Sequence, residues 1–253
     1  MAAAGKNKFR IVLRNINMVR EFHFEQRNHL FTTLTAECQD ILSESLSKNG
    51  AATLFVSGGA TPAPLYEALS KAELAWKKVK VALVDERWVD VQHSASNEAM
   101  VRRSLLINNA KAATFIGMKT SDERANKGLS QTESNYRSLP QPFTVAIVGM
   151  GVDGHTASLF PDAKGLNAAL KPEGEQLTAA INAKQSPVTG PNTERLSLTV
   201  AALLKCERLI VLLTGEDKLL VFDQAMKPGP IEELPIRAIL HQEKVPVELY
   251  WAP

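Results

Sequence analysis

The chain reads as an α/β protein with a mainly parallel sheet and helices on both faces. Three observations predict this. Short apolar runs such as Ala52–Val56 and Phe143–Val148 do not alternate with polar residues, the pattern of strands buried on both sides. Stretches of helical period separate these runs, and strands alternating with helices build a parallel sheet. Several runs end in glycine-rich or charged turns, as suits strand C-termini gathered along one edge.

The elements follow in order. Val19–Phe24 alternates enough to be an opening strand. Residues 25–46 space Leu30, Leu34, Cys38, Ile41 and Leu42 as one helical face, with a stop near Asn49-Gly50. Ala52–Val56 runs into Ser57-Gly58-Gly59-Ala60-Thr61-Pro62, where Thr61 suits an N-cap and Pro62 the first turn of a helix over 62–70. Residues 79–84 form a strand ending in Asp85-Glu86-Arg87-Trp88. Residues 98–106 and 122–137 read as helices, the former started by Ser96-Asn97, and Phe143–Val148 is the next strand. Residues 165–191, rich in Pro, Gly, Asn and Lys, read as a looped excursion and candidate lid. Strands are expected at 195–198, 208–213 and 247–251, and helices at 218–226 and 235–240. With no repeat, low-complexity tract or linker, residues 1–253 are expected to form a single domain.

Composition narrows the function. The chain is 45% hydrophobic and 22% charged with a formal net charge of +2, an ordinary soluble composition. Lys77-Lys78 and Arg102-Arg103 are isolated pairs, so no basic stripe points to nucleic acid. Cys38 and Cys206 sit in apolar or helical patterns and read as buried reduced thiols, with neither a disulfide framework nor a zinc site. The start MAAAGKNKFR lacks the apolar core of a signal peptide, and no segment approaches a membrane span, so a cytoplasmic location is expected. The expected assembly is a monomer or weak homo-oligomer. Trp76, Trp88 and Trp251 read as packing, and His23, His29 and His241 carry no accompanying signal.

The candidate chemistry lies at strand ends. Residues 145–161, VAIVGMGVDGHTASLFP, place Gly149-Met150-Gly151 after a buried strand and Asp153-Gly154-His155 just beyond. His155 is a base able to titrate near neutral pH, and Asp153 is a carboxylate placed to orient it. The plainer reading is a turn bearing a surface histidine. Ser57, Gly58, Gly59 and Thr61 read as a phosphate cradle, because glycines expose backbone N–H groups at a helix start. Without phosphate it is a tight strand–helix turn. Arg87 can grip phosphate or carboxylate bidentately, and Asp85 can orient a base or a sugar hydroxyl. Otherwise they belong to a solvated loop. His93 and Ser96-Asn97 are assigned structural roles. Arg195 and Lys218 are cations at sheet ends that can complete an anion site, though each alone reads as a surface charge.

Taken together, Ser57-Gly58-Gly59, Asp85-Glu86-Arg87-Trp88 with His93 and Ser96-Asn97, GMGVDGHTASLFP, and 195–199 resemble the 6-phosphogluconolactonase family. The resemblance runs from about the first helix to the closing LYW strand, and the 149–161 run is its most specific part. The SGG and TGEDK segments are shared with glucosamine-6-phosphate deaminases and isomerases. Two departures stand out: Ala60 where the family often has Ser or Thr, and Asp217 where it often has glycine before the lysine. The resemblance implies a Rossmann-like sheet, hydrolysis of 6-phospho-D-glucono-1,5-lactone in the oxidative pentose phosphate pathway, and no metal or organic cofactor. His155 is then the general base, oriented by Asp153 or Asp85. Arg87 or a glycine turn meets the oxyanion, and Gly58, Gly59, Arg195 and Lys218 hold the phosphate.

No serine nucleophile is expected, since Ser158 falls in a helix-like segment after the turn. Two rival functions stand beside the lactonase. An amino-sugar-phosphate isomerase or deaminase carries a carboxylate five residues after the histidine, where this protein has Phe160. A sugar-phosphate effector domain of a bacterial regulator carries a helix-turn-helix ahead of the sensor, and only some 18 residues precede the expected first strand.

Overall fold

A computed structural model describes residues 9–13, as backbone only, and residues 18–253. The strands are β1 (Phe9–Leu13), β2 (Val19–Phe24), β3 (Ala52–Val56), β4 (Val79–Leu83), β5 (Asp85–Arg87), β6 (Thr114–Ile116), β7 (Phe143–Val148), β8 (Thr178–Asn182), β9 (Glu194–Leu198), β10 (Cys206–Thr214) and β11 (Val247–Ala252). The helices are α1 (Arg27–Asn49), α2 (Ala63–Leu69), α3 (Asn97–Ser104), α4 (Ala125–Arg137), α5 (Leu166–Ala169), α6 (Val200–Leu203), α7 (Glu216–Ala225) and α8 (Arg237–Leu240).

An eight-stranded sheet has the order β1-β2-β11-β10-β7-β3-β4-β6. Neighbours from β2 to β6 run parallel, and only β1 is antiparallel to its neighbour. Every residue of β3, β7 and β11 is buried, which requires cover on both faces and explains the unalternating, mostly apolar sequences of β3 and β7; β11 buries Glu248 among its apolar residues. Helix α1 lies across β2, β3, β7 and β11, while α6 and α7 pack on β10. The α/β architecture is therefore as expected.

Strand order reverses at one place. From β3 the polypeptide proceeds outward through β4 to β6, then returns to place β7 on the other side of β3. It continues outward through β10 and β11. The C-terminal ends of β3 and β7 therefore flank a crevice, the usual position for a ligand in such sheets.

Several expectations are corrected. β1 precedes the expected first strand; its FRIVL sequence is short and pairs with β2 from Phe9↔Phe24 to Leu13↔Arg20. Asp85-Glu86-Arg87 is not a loop, and β9 is not part of the parallel sheet. Both belong to a second, antiparallel sheet of order β5-β9-β8. Val84 joins the two sheets: its N–H donates to Val56 C=O at 3.0 Å and its C=O accepts Leu198 N–H at 2.7 Å. The 165–191 excursion contains α5 and β8, because β9 supplies a partner that local sequence does not reveal. β6 is a further strand, too short to stand out in the residue pattern.

Helix ends shift by a few residues. α1 closes where expected, with Gly50 in the left-handed region (φ 72°) and its N–H on Leu46 C=O. α2 begins one residue late: Pro62 occupies the cap position, and the Thr61 hydroxyl, in a turn, caps nothing. Ser96 does cap α3, accepting Ala99 N–H at 3.1 Å. Residues 156–160 are a tight fold-back rather than helix, with Ala157 at φ 50° and a bridge between Thr156 and Leu159.

The core lies on the sheet, with Phe55 stacked on Tyr136 at 5.9 Å and edge-on to Phe143 at 4.9 Å. Cys38 and Cys206 are free and buried, and burial pushes both thiols far up. No described helix is long and apolar enough to cross a membrane. At the end of β4, beyond its last pairing with β6, the Tyr136 hydroxyl accepts from Leu83 N–H and donates to Leu83 C=O, both at 3.0 Å. Tyr136→Phe should cost about 1–3 kcal/mol, since both buried backbone groups lose their partner; urea denaturation measures this, and an unchanged midpoint would refute it.

Candidate active site

β7 delivers Gly149 to the crevice, and the backbone then closes a small loop on itself. Gly151 N–H donates to His155 C=O and Gly154 N–H to Gly151 C=O, each at 3.0 Å. A Cβ on Gly151 would lie 2.2 Å from His155 Cε1 and Nδ1 and 2.6 Å from Asp153 Oδ1, so the bare backbone lets the pair nest against it. Gly154 takes φ 74° at the sharpest part of the turn.

His155 Nδ1 meets Asp153 Oδ1 at 2.5 Å. An ionised carboxylate only accepts, so Nδ1 donates in this contact, and whenever the ring is neutral its lone pair lies on Nε2. Burial would raise the Asp153 carboxyl, but the hydrogen bond and charge of His155 outweigh it and hold it below its ordinary range. The imidazole lies close to the buried Phe160 ring, centroids 4.1 Å apart at 30°.

Asp85, the other candidate to orient His155, is engaged elsewhere. Its Oδ2 accepts from Ser158 Oγ at 2.6 Å and lies 4.0 Å from Arg195 Nη1, while Asn97 Nδ2 donates to its backbone carbonyl and, at 3.3 Å, to Oδ1. Glu86 is buried as the anchor of α3. It accepts from the N–H groups of Arg87, Asn97 and Glu98 and from Ser96 Oγ. Burial raises its carboxyl while those backbone donors pull it down. The charges of this segment thus have partners that a solvated loop would lack.

β3 delivers the SGG loop. The Gly58 Cα is so close to Asn97 that a Cβ would lie 1.8 Å from Asn97 Oδ1, and Gly59 takes φ 92°. Among the described residues, the N–H groups of 58–61 donate to no protein acceptor. A cavity of about 370 Å³ joins these pieces. Ser57, Gly58, Gly59, Thr61, Asp85, Arg87, His155, Arg195 and Lys218 all line it. Asp153 stands behind His155.

The cations differ in freedom. Arg87 gives Nη1 to Ala95 C=O at 2.6 Å, and its buried Nε has no partner among the described residues. Arg195 is buried rather than a surface charge, held by Nε on Asn192 C=O and Nη2 on Thr189 C=O. Desolvation pulls it down from the usual arginine range, with Asp85 opposing. Lys218, half-buried in the first turn of α7, has no hydrogen bond or ion pair to described residues.

Asn97 lines the cavity as well as starting α3, a second role that its position after Ser96 does not disclose. Met150, Val152, Ala157 and Val188 from loops and Leu212 from β10 also line the wall, and apolar residues at such positions carry no ligand signal in sequence. Among the described residues, no cluster of three or more His, Cys, Asp or Glu side chains is placed to hold a metal ion.

Residues 25–251 match a family of sugar-phosphate enzymes, described as glucosamine-6-phosphate isomerases/6-phosphogluconolactonase, and the chain belongs to it. Within that family, it is 39% identical to the 6-phosphogluconolactonase of Mesorhizobium japonicum over 91% of this chain and 94% of that one. It is 36% identical to the 6-phosphogluconolactonase of Pseudomonas aeruginosa, over 87% and 89% of the two chains. The crystal structure of a 6-phosphogluconolactonase from Shewanella baltica superposes with a TM-score of 0.88 at 35% identity, covering 94% of this chain and 99% of that one.

The depressed Asp153 carboxyl has a pH consequence. Its stabilisation is full above the ordinary carboxylate value and is lost as pH falls through the folded-state value. Asp153→Asn should therefore lose less stability than wild type between about pH 5 and about pH 3. Urea midpoints across that range decide it; parallel acid limbs would contradict the assignment.

Proposed function

We propose that this protein hydrolyses 6-phospho-D-glucono-1,5-lactone to 6-phospho-D-gluconate, the lactonase step of the oxidative pentose phosphate pathway. One observation carries the reading: His155, backed by Asp153, lines the same cavity as Lys218 and the residues 58–61 whose N–H groups have no partner among the described residues. A base faces an anion holder across a space suited to a small sugar phosphate. The names of the relatives support the substrate.

The phosphate sits on the N–H groups of Gly58, Gly59 and their neighbours, with Ser57 and Thr61 hydroxyls, Lys218 and Arg195 around it. This fixes the lactone carbonyl near His155, so that binding energy is converted into orientation. Nε2 takes a proton from water as its oxygen attacks the carbonyl carbon. Asp153 stabilises the imidazolium that forms. Charge on the carbonyl oxygen meets the guanidinium of Arg87, which lines the cavity, or N–H groups of a glycine turn. Collapse breaks the bond to the ring oxygen, which takes the proton back from His155. Ser158 is no nucleophile, for it is buried and donates to Asp85.

Deamination of an amino-sugar phosphate fits less well. The position of its carboxylate is filled by Phe160, buried against His155. A charged sugar phosphate does not diffuse through a bilayer, which favours a cytoplasmic site for the reaction. We keep a monomer or weak homo-oligomer as the assembly.

With freshly generated lactone, and correction for its spontaneous hydrolysis, His155→Ala should lower kcat by about two to four orders of magnitude. Near-normal turnover would remove His155 as the base, and ammonia release from glucosamine 6-phosphate would favour the deaminase. Lys218→Ala should raise KM with kcat nearly kept; a large loss of kcat at unchanged KM would contradict a phosphate-holding role.

A further inference from the structure

Among the described residues the His155 ring has one polar tether, the contact of Nδ1 with Asp153. A single hydrogen bond fixes one atom and leaves the ring plane free to tilt about it. The direction of Nε2 therefore depends on packing. The Gly151 backbone supplies part of that packing and Phe160 the aromatic part, its buried ring 4.1 Å from the imidazole and 30° from coplanar.

Local backbone geometry creates this contact. In an α-helix, residues five apart point to well-separated directions. Here Ala157 at φ 50°, the Thr156–Leu159 bridge, and the Leu159 N–H to Thr156 C=O bond fold the backbone over and bring residue 160 onto residue 155. Resting on the lactonase reading, we propose that Phe160 is a positioning residue. It holds the His155 ring so that Nε2 addresses the attacking water, and it excludes solvent from the ring face it covers.

Arg195 meets the same ring, its guanidinium carbon 5.0 Å from the Phe160 centroid. Yet Arg195 is pinned independently by the C=O groups of Thr189 and Asn192 and lies beside Asp85. Loss of the aromatic ring would leave the anion side of the cavity in place and loosen the base. The effect should fall on kcat, not on substrate affinity.

The test compares Phe160→Leu and Phe160→Met, which remove the ring, with Phe160→Tyr, which keeps it. Phe160→Leu is also made in the His155→Ala background. The readouts are kcat, KM and the calorimetric Kd for 6-phosphogluconate, the last confirming an intact, folded cavity. Leu and Met should lower kcat about 10- to 100-fold, the cost of a misplaced catalytic group, with KM and Kd unchanged and Tyr restoring most of the turnover. In the His155→Ala background, Phe160→Leu should cost nothing more, because the group it positions is gone. Wild-type kcat in both Leu and Met, or an equal further loss in the His155→Ala background, overturns the proposal. Failure of the lactonase reading is seen separately, as an inactive wild-type protein or undiminished turnover in His155→Ala, and takes this proposal with it.

Discussion

The site depends on parallel pairing of β3 and β7, whose connections depart in opposite directions across the sheet. Because those connections diverge, no crossover covers the crevice above their C-terminal ends. The loop after β3 brings the N–H groups of 58–61, and the loop after β7 brings Asp153 and His155. β10, beside β7, leads to Lys218 on α7. Chemistry scattered over more than 160 positions of sequence, from Ser57 to Lys218, converges because parallel strands end on one side.

The second sheet closes this arrangement. Val84 is bonded into both sheets, so the backbone turns from β4 into β5 without leaving a buried polar group unpaired. That turn carries Arg87 to the cavity and pairs it with Arg195 across β5 and β9. Burying carboxylates there is costly unless donors surround them. Glu86 meets this condition with three backbone N–H groups and a hydroxyl, and Asp85 with Ser158, Asn97 and a nearby guanidinium. Two aspartates of the same chemistry thus divide their work, one holding the frame and one holding His155.

Much of the site is legible in sequence because its residue types are out of place in a plain turn. Glycines after an apolar run, a histidine two residues from an aspartate, and a lysine at a helix start all suit a ligand better than they suit packing. Ser57, Gly58, Gly59, Thr61, Asp85, Arg87, His155, Arg195 and Lys218 do share one cavity. The partner of His155 is not legible, since Asp85 and Asp153 both follow strands that end at the same edge. Nor is the burial of Arg195, which depends on carbonyls of a loop that folds over it.

The amino-acid order alone settled the α/β alternation, the buried strands, the Gly50 helix stop and the glycine turns. These follow from side-chain periodicity and backbone sterics, which act within a few residues. Tertiary structure decided the rest: that β1 and β6 extend the sheet, that β5, β8 and β9 form another, and that residues 156–160 fold back instead of winding into helix. Short strands and tight turns of this kind are chosen by partners distant in sequence, because a few residues lack the local energy to select a conformation unaided.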